Sequence, residues 1–236
     1  IKENKSSKKG SIFWIIYTCI ILAFTLYVFL DAFVIVKSYK VADTSDLKEI
    51  TSDDNNNTDT KIEKIVDDNH YLDENIYITI TQEKRFNSNM YIADIKLSDL
   101  KYLKSAFAKN QFGKNVTELT TQIASNNNAI FAINCDFYGA RKSGFVLRNG
   151  VWYRQNKQSD KSKEDLIIYN DGTFDIVNEN NTDPTSISDA WQVISFGPGI
   201  IKDGEICVSK NSSSDMITSI NPRTAIGMIE PLHYIV

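Results

Sequence analysis

A lysine-rich start gives way to a run without charge from Gly10 to Leu30, GSIFWIIYTCIILAFTLYVFL, which continues after Asp31 as AFVIV. About 20 apolar residues cross the hydrocarbon core of a bilayer as a helix, so residues 10–36 are predicted as a transmembrane anchor. A cleaved signal peptide has a shorter apolar region, about 7–15 residues, ending in small residues. Here aromatic and branched residues fill that place. Residues 37–60 are polar, acidic and Asn-rich, with no sustained apolar period, and read as a linker. Past residue 61 short periodic segments return and run to the end, long enough for one core over 61–236.

Within 61–236, Ile76, Ile78 and Ile80 alternate with Tyr77, Thr79 and Thr81, the pattern of a half-buried strand. MYIADIKL (90–97) is a second strand. Ser98 is placed to cap a helix through Lys109, with Leu100, Leu103 and Phe107 inward. Thr117 is placed to cap another, ending in the Asn126–Asn128 run. AIFAIN (129–134) is a continuous apolar run, as expected of a buried central strand. Hairpins follow. Asn149-Gly150, Asp171-Gly172 and Asp203-Gly204 sit between FVLR/VWYR, LIIYN/TFDIV and GIIK/EICV, and such dipeptides supply the positive φ of tight turns. TAIGMI and HYIV form a last pair, turned at Glu230-Pro231. Local hairpins beside two early helices imply an α+β fold with a mixed, hairpin-rich sheet core and a few packed helices.

Charge refines this picture. A net charge of −4 and a pI near 5.3 argue against a nucleic-acid partner, which needs a basic footprint. Residues 1–9 carry Lys2, Lys5, Lys8 and Lys9 against Glu3, whereas residues 31–60 carry three lysines against seven acids. The positive-inside rule then keeps residues 1–9 in the cytoplasm and places the domain outside. Cys135 and Cys207 would meet an environment that permits a disulfide, and two free thiols fit the spacing equally well. The chain starts at Ile1 and stops in a strand-like run, which reads as a fragment of a longer protein.

Candidate chemistry concentrates in AIFAINCDFYGARKSGFVLRNG (129–150). Polar side chains at the end of a core strand, followed by a loop, are a common site geometry. If strand geometry persists, Asn134 and Asp136 share one side. The alternative is a loop in which Asp136 bonds backbone amides. In SINPRTAIG (219–227), Arg223 leads into an apolar strand, where its planar fork can clamp phosphate or carboxylate or form a structural ion pair. In ISFGPGIIKDGE (194–205), Gly197-Pro198-Gly199 permits close approach to a ligand or a neighbouring strand. No phosphate-binding loop or nucleophile elbow is present. His70 and His233 lack the neighbours that zinc or a serine triad needs, so no metal ligands are read from the sequence, and the cofactor is unknown at this point.

Taken in order, YIADIKL, AIFAINCDFYG, FVLRNG, ISFGPGIIKDGE and NPRTAIG resemble the phosphodiester glycosidase domain family over about residues 76–236. The family includes N-acetylglucosamine-1-phosphodiester alpha-N-acetylglucosaminidase-like enzymes and membrane-anchored bacterial proteins of exopolysaccharide biosynthesis. The resemblance implies hydrolysis of a sugar-1-phosphodiester at the anomeric bond, with a glycan or sugar-phosphate substrate. On that reading Asp136 stabilises the oxocarbenium-like state and Arg223 the phosphate. Asn134, Phe137, Tyr138, Gly197, Asn221 and Thr224 are the implied substrate contacts. The family's pattern continues beyond its counterpart of His233–Val236 with a turn, a helix and a Gly-rich segment, so the resemblance implies a domain incomplete at its C-terminus. A non-catalytic glycan-binding or assembly protein of the cell envelope is the reading from a different class.

Overall fold

The computed structural model describes residues 5–40, 64–136, 138–158, 160, 163–195, 197–208 and 220–236, apart from the side chains of 5–11 and 39–40. The apolar run forms one helix, α1 (Lys5–Phe33), of which Ile12–Phe33 is long and apolar enough to cross a membrane. A short strand, β1 (Lys37–Lys40), follows within what the sequence suggested as linker. The remainder of that stretch, 41–60, lies outside the described residues.

The next strands are β2 (Ile65–Val66), β3 (His70–Leu72), β4 (Ile76–Arg85) and β5 (Ser88–Leu97). The alternation at 76–81 and the 90–97 run are both strands, longer than expected, because Phe86-Asn87 joins them as a two-residue turn. Both turn residues have positive φ, 50° and 59°, which suits a tight hairpin.

The helix expected from Ser98 to Lys109 does not form. Asp99, not Ser98, accepts from the Lys101 N–H at 2.7 Å and caps a single 3-10 turn, Leu100–Tyr102. Beyond it the backbone is claimed by tertiary partners. Trp191 Nε1 donates to the Leu103 carbonyl at 2.7 Å, and Asn149 bonds both the N–H and the C=O of Ser105 at 2.9 Å. A helix would need those same backbone groups.

Strand β6 (Gln111–Lys114) pairs antiparallel with β1, Lys37 opposite Lys114 and Ser38 opposite Gly113. Gly113 suits this approach because a Cβ there would lie 1.9 Å from the Lys37 carbonyl oxygen. Helix α2 (Thr120–Asn126) starts three residues after the expected cap, and Gln122 Oε1 accepts from the Leu119 N–H.

The apolar run 129–134 is not a strand. No described strand pairs with it, and its Ala129, Ile130, Ala132 and Asn134 are exposed. An apolar run becomes a central strand only where neighbours take its N–H and C=O groups, and here none does.

The hairpins come next: β7 (Val146–Arg148) with β8 (Val151–Arg154), and β9 (Glu164–Tyr169) with β10 (Phe174–Asn178). Then β11 (Ala190–Ile194) returns between them, giving an antiparallel five-stranded order β10-β9-β11-β7-β8. Strands β12 (Ile201–Lys202) and β13 (Glu205–Ile206) form a separate hairpin. Finally β14 (Gly227–Glu230) and β15 (His233–Ile235) add to β5, giving the six-stranded order β14-β15-β5-β4-β3-β2. The architecture is α+β with antiparallel sheets, as the hairpin signals predict.

The principal core lies on the five-stranded sheet: Phe145, Leu147, Ile167, Ile187, Ala190 and Val193, with Trp152, Tyr169 and Val177 against it. The sheets meet at Tyr234 of β15. Its ring stacks on Phe174 at 5.0 Å, and its hydroxyl donates to the Gly172 carbonyl at 2.8 Å. Burial pushes the Tyr234 phenol up to about 12.

Candidate functional site: a buried charge network behind the 134–140 loop

Asp136 is the anchor of the loop. Its side chain is only 1% exposed, and one oxygen takes a 2.7 Å ion pair from Arg148 Nη2. The other accepts from the Ser195 N–H at 2.8 Å. Arg148 ends the buried strand β7, is 3% exposed, and also donates to the carbonyls of Leu147 (3.0 Å) and Val193. Burial, the largest influence, lowers the Arg148 guanidinium, but Asp136, Cys135 and Tyr138 together hold it above its ordinary value. A buried cation with a carboxylate and two carbonyls has its donors used where removal of one partner is costly.

Ser195 joins this pair to a second group of acids. Its hydroxyl donates to Asp165 Oδ1 at 2.5 Å, lies 3.3 Å from Glu179 Oε2, and accepts from Gln158 Nε2 at 3.1 Å. Glu179 Oε1 accepts from the Gln158 N–H at 2.6 Å, and Arg141 Nη1 donates to the Ser195 carbonyl at 2.8 Å. Asp165 and Glu179 are both fully buried. Burial first, and the neighbouring Glu179 charge, push Asp165 up to about 7 against the pull of the Ser195 hydroxyl. Among the described residues Asp165 Oδ2 has no hydrogen-bond partner, so nothing on that oxygen offsets the cost of burying the charged form.

The loop itself is fixed from below. Arg154 of β8 donates through Nε to the Gly144 carbonyl (2.6 Å) and through Nη1 to the carbonyls of Arg141 (2.8 Å) and Tyr138 (3.2 Å). Burial lowers its guanidinium from the usual value. Tyr138 stacks on Phe112 of β6 with centroids 5.1 Å apart, and meets Phe107 edge-on at 5.3 Å. Tyr153 closes this aromatic group against Phe107 at 4.9 Å.

The residues predicted from the sequence fall into two sets. Asn134 and Thr224 come together: Thr224 Oγ1 donates to Asn134 Oδ1 at 2.9 Å across 90 positions, on an exposed face. Asn221 and Arg223 are exposed on the same segment. Asp136 is not on that face. Alternation would have put Asn134 and Asp136 on one side, but the segment is not a strand, and one side chain is exposed while the other is enclosed. Tyr138 packs into the aromatic group. Gly197-Pro198-Gly199 approaches a strand: a Cβ on Gly199 would lie 2.9 Å from Ile176 Cδ1, and its N–H donates to Glu164 Oε2 at 2.8 Å. Phe137 lies outside the described residues. Cys135 and Cys207 are both free. His233 is structural, with Nε2 2.9 Å from Asp94 Oδ1.

Sequence reasoning missed Arg148, Asp165, Glu179 and Ser195. Arg148 was read only as the last residue of a hairpin strand. Its signal is a cation directly after the apolar Phe145-Val146-Leu147, where a charge needs a partner if the strand is buried.

Fold and site together define an antiparallel α+β domain whose exposed motif loops rest on an enclosed Asp–Arg pair. Residues 127–233 match the family model of the phosphodiester glycosidases, a span that includes both the 134–140 loop and Arg223. No curated protein and no solved structure matches the chain.

Proposed function

We propose that the chain is a membrane-anchored hydrolase that cleaves sugar-1-phosphodiester bonds, of the N-acetylglucosamine-1-phosphate type, in cell-envelope or exopolysaccharide glycans. Residues 10–36 are the anchor, residues 1–9 are cytoplasmic, and the domain is extracytoplasmic. The observation that carries the reading is the Thr224–Asn134 hydrogen bond, which joins the two motif segments inside the matched span. Arg223 grips the phosphate as it leaves with its charge. Asn134 and Thr224 hold sugar hydroxyl or acetamido groups, and Phe137, Asn221 and Gly197 are the further substrate contacts. Asp136 acts through the loop. Its carboxylate, already shared between Arg148 and the Ser195 N–H, fixes Asn134 and Tyr138 and does not touch the anomeric carbon.

The test is release of free sugar from a panel of sugar-1-phosphodiesters by the full chain. Arg223→Gln is expected to lower kcat/KM by about 10²–10³, the usual loss for one preorganised electrostatic contact, in protein that circular dichroism shows to be folded. Undiminished turnover in that variant overturns the assignment. The enclosure of Asp136 favours one second reading, a glycan-binding protein of the cell envelope. That reading expects calorimetric binding of the same compounds by the wild type with no sugar released.

A further inference from the structure

The stem of the candidate membrane helix is built into the domain. Only Val34, Ile35 and Val36 separate α1 from β1, and β1 is already paired with β6. Lys114 Nζ reaches back to the helix end, donating to the Asp31 carbonyl at 2.6 Å and to Asp31 Oδ2 at 3.2 Å. Lys37 pairs with the same carboxylate, and Asn115 Nδ2 donates to the Ile35 carbonyl at 3.0 Å. A flexible tether would let the domain diffuse through a wide volume. A paired strand three residues past the helix does not.

From β6 the path to the site is short. Phe112 stacks on Tyr138, and a Cβ on Gly139 would lie 2.7 Å from the Gly113 carbonyl. Paired strands lie about 4.8 Å apart, so the 134–140 loop packs about two strand spacings from the stem. The 22 residues of Ile12–Phe33 give a helix about 33 Å long, matching a hydrocarbon core of about 30 Å. Asp31 sits two residues before the end of that span, and Lys37 and Lys114 bind its carboxylate, so the helix meets the domain at the end of the span.

We infer that the β1–β6 clasp holds the loop at the bilayer surface, so that the preferred substrates are sugar phosphodiesters whose second ester is to a membrane lipid. This rests on the glycosidase reading above. In the step, a water oxygen bonds to the anomeric carbon as the bond from that carbon to the phosphate oxygen breaks. The sugar leaves with a free hydroxyl, the lipid keeps a phosphomonoester, and the remaining water proton passes to the phosphate or to solvent. A substrate confined to the same surface as a clasped site meets it at a raised effective concentration; a soluble one does not.

The full chain, reconstituted in phosphatidylcholine vesicles, is given two substrates with one sugar-1-phosphate head, one esterified to a short alcohol and one to a long-chain alcohol embedded in the vesicle. Two variants release the clasp without touching the site. Ser38→Pro removes a backbone donor from β1, and a flexible Gly-Ser insertion between Val36 and Lys37, combined with Lys114→Ala and Asn115→Ala to remove the contacts to Asp31 and Ile35, leaves β1 paired but frees the domain from the helix. Wild type is expected to favour the embedded substrate, and both variants to lose roughly tenfold or more of that preference, the scale tethering supplies, with soluble turnover unchanged. Equal use of the two substrates by wild type, or an unaltered preference in the insertion variant, overturns this inference alone. No turnover of either substrate by wild type overturns the glycosidase reading and this inference with it.

Discussion

The two large sheets solve opposite problems. In the five-stranded sheet, Val146, Leu147 and Arg148 are all buried, and Asp165 and Gln192 lie inside the same layer. In the six-stranded sheet, only Ile78, Ala93 and Tyr234 are buried among the described strand residues. The first sheet carries charge into its interior and must match every charge to a partner. The second leaves water to do that work and relies on hairpin register, ten paired positions between β4 and β5. The family match covers the first sheet and β14, reaches only the first residue of β15, and leaves out the long β4–β5 ribbon. Polar groups are therefore costly to alter in one sheet and cheap in the other.

The sharpest test is an arginine from each. Arg148→Met leaves Asp136 enclosed and unpaired, and is expected to cost about 3–5 kcal/mol. Urea midpoints of the folded chain measure it. A loss below about 1 kcal/mol would show that water reaches Asp136 and would remove the contrast.

The next effect is a pH dependence confined to the enclosed acids. Asp165 titrates near 7 when folded, against about 4 when unfolded. Between those values the folded chain keeps a proton that the unfolded chain has lost. Its contribution to stability is thus greatest below pH 4, falls as pH rises to about 7, and is flat beyond, a change of a few kcal/mol at most. Asp165→Asn mimics the protonated form and is expected to flatten that part of the profile. Urea unfolding across pH 4 to 8 checks it, and a wild-type slope of the opposite sign refutes it.

The junction comes third. Tyr234→Phe removes the hydroxyl bonded to Gly172 and leaves that carbonyl unpaired, for about 1–2 kcal/mol. If the two sheets unfold as one unit, fluorescence and circular dichroism keep a common midpoint in this variant; separated midpoints would show two independent units. The smallest effects belong to the open ribbon. Phe86, 96% exposed at its tip, and Arg85, paired only with the exposed Glu83, are expected to tolerate Phe86→Ser and Arg85→Met within about 0.5 kcal/mol.

The same division explains what could be read from the sequence. The ribbon and the hairpins were legible because alternation and Asn-Gly or Asp-Gly turns are local signals. Even so, the Asp171-Gly172 loop is longer than the dipeptide suggests: Tyr169 N–H donates to the Thr173 carbonyl around three residues, and only Gly172 has positive φ. The helix expected at 98–109 failed because Trp191 and Asn149, far along the chain, take its backbone. The strand expected at 129–134 failed for lack of a paired neighbour. At the site, both motif segments were named by the resemblance, but the enclosure of Asp136 was not legible. It depends on Arg148, whose one signal is the apolar run before it, and on Ser195, which carries none until β7 and β11 are packed.

Between the stem and the loop, three backbones lie against one another at Lys37, Gly113 and Gly139, with no side chain between them. Side chains act as springs, because their torsions turn cheaply; main chain in direct contact has little such give. The stack therefore works as a solid linkage. A tilt or vertical shift of α1 would reach the 134–140 loop almost undiminished, and a bulky residue at either glycine would convert that linkage into a wedge. The position of the loop is in this sense geared to the posture of the helix.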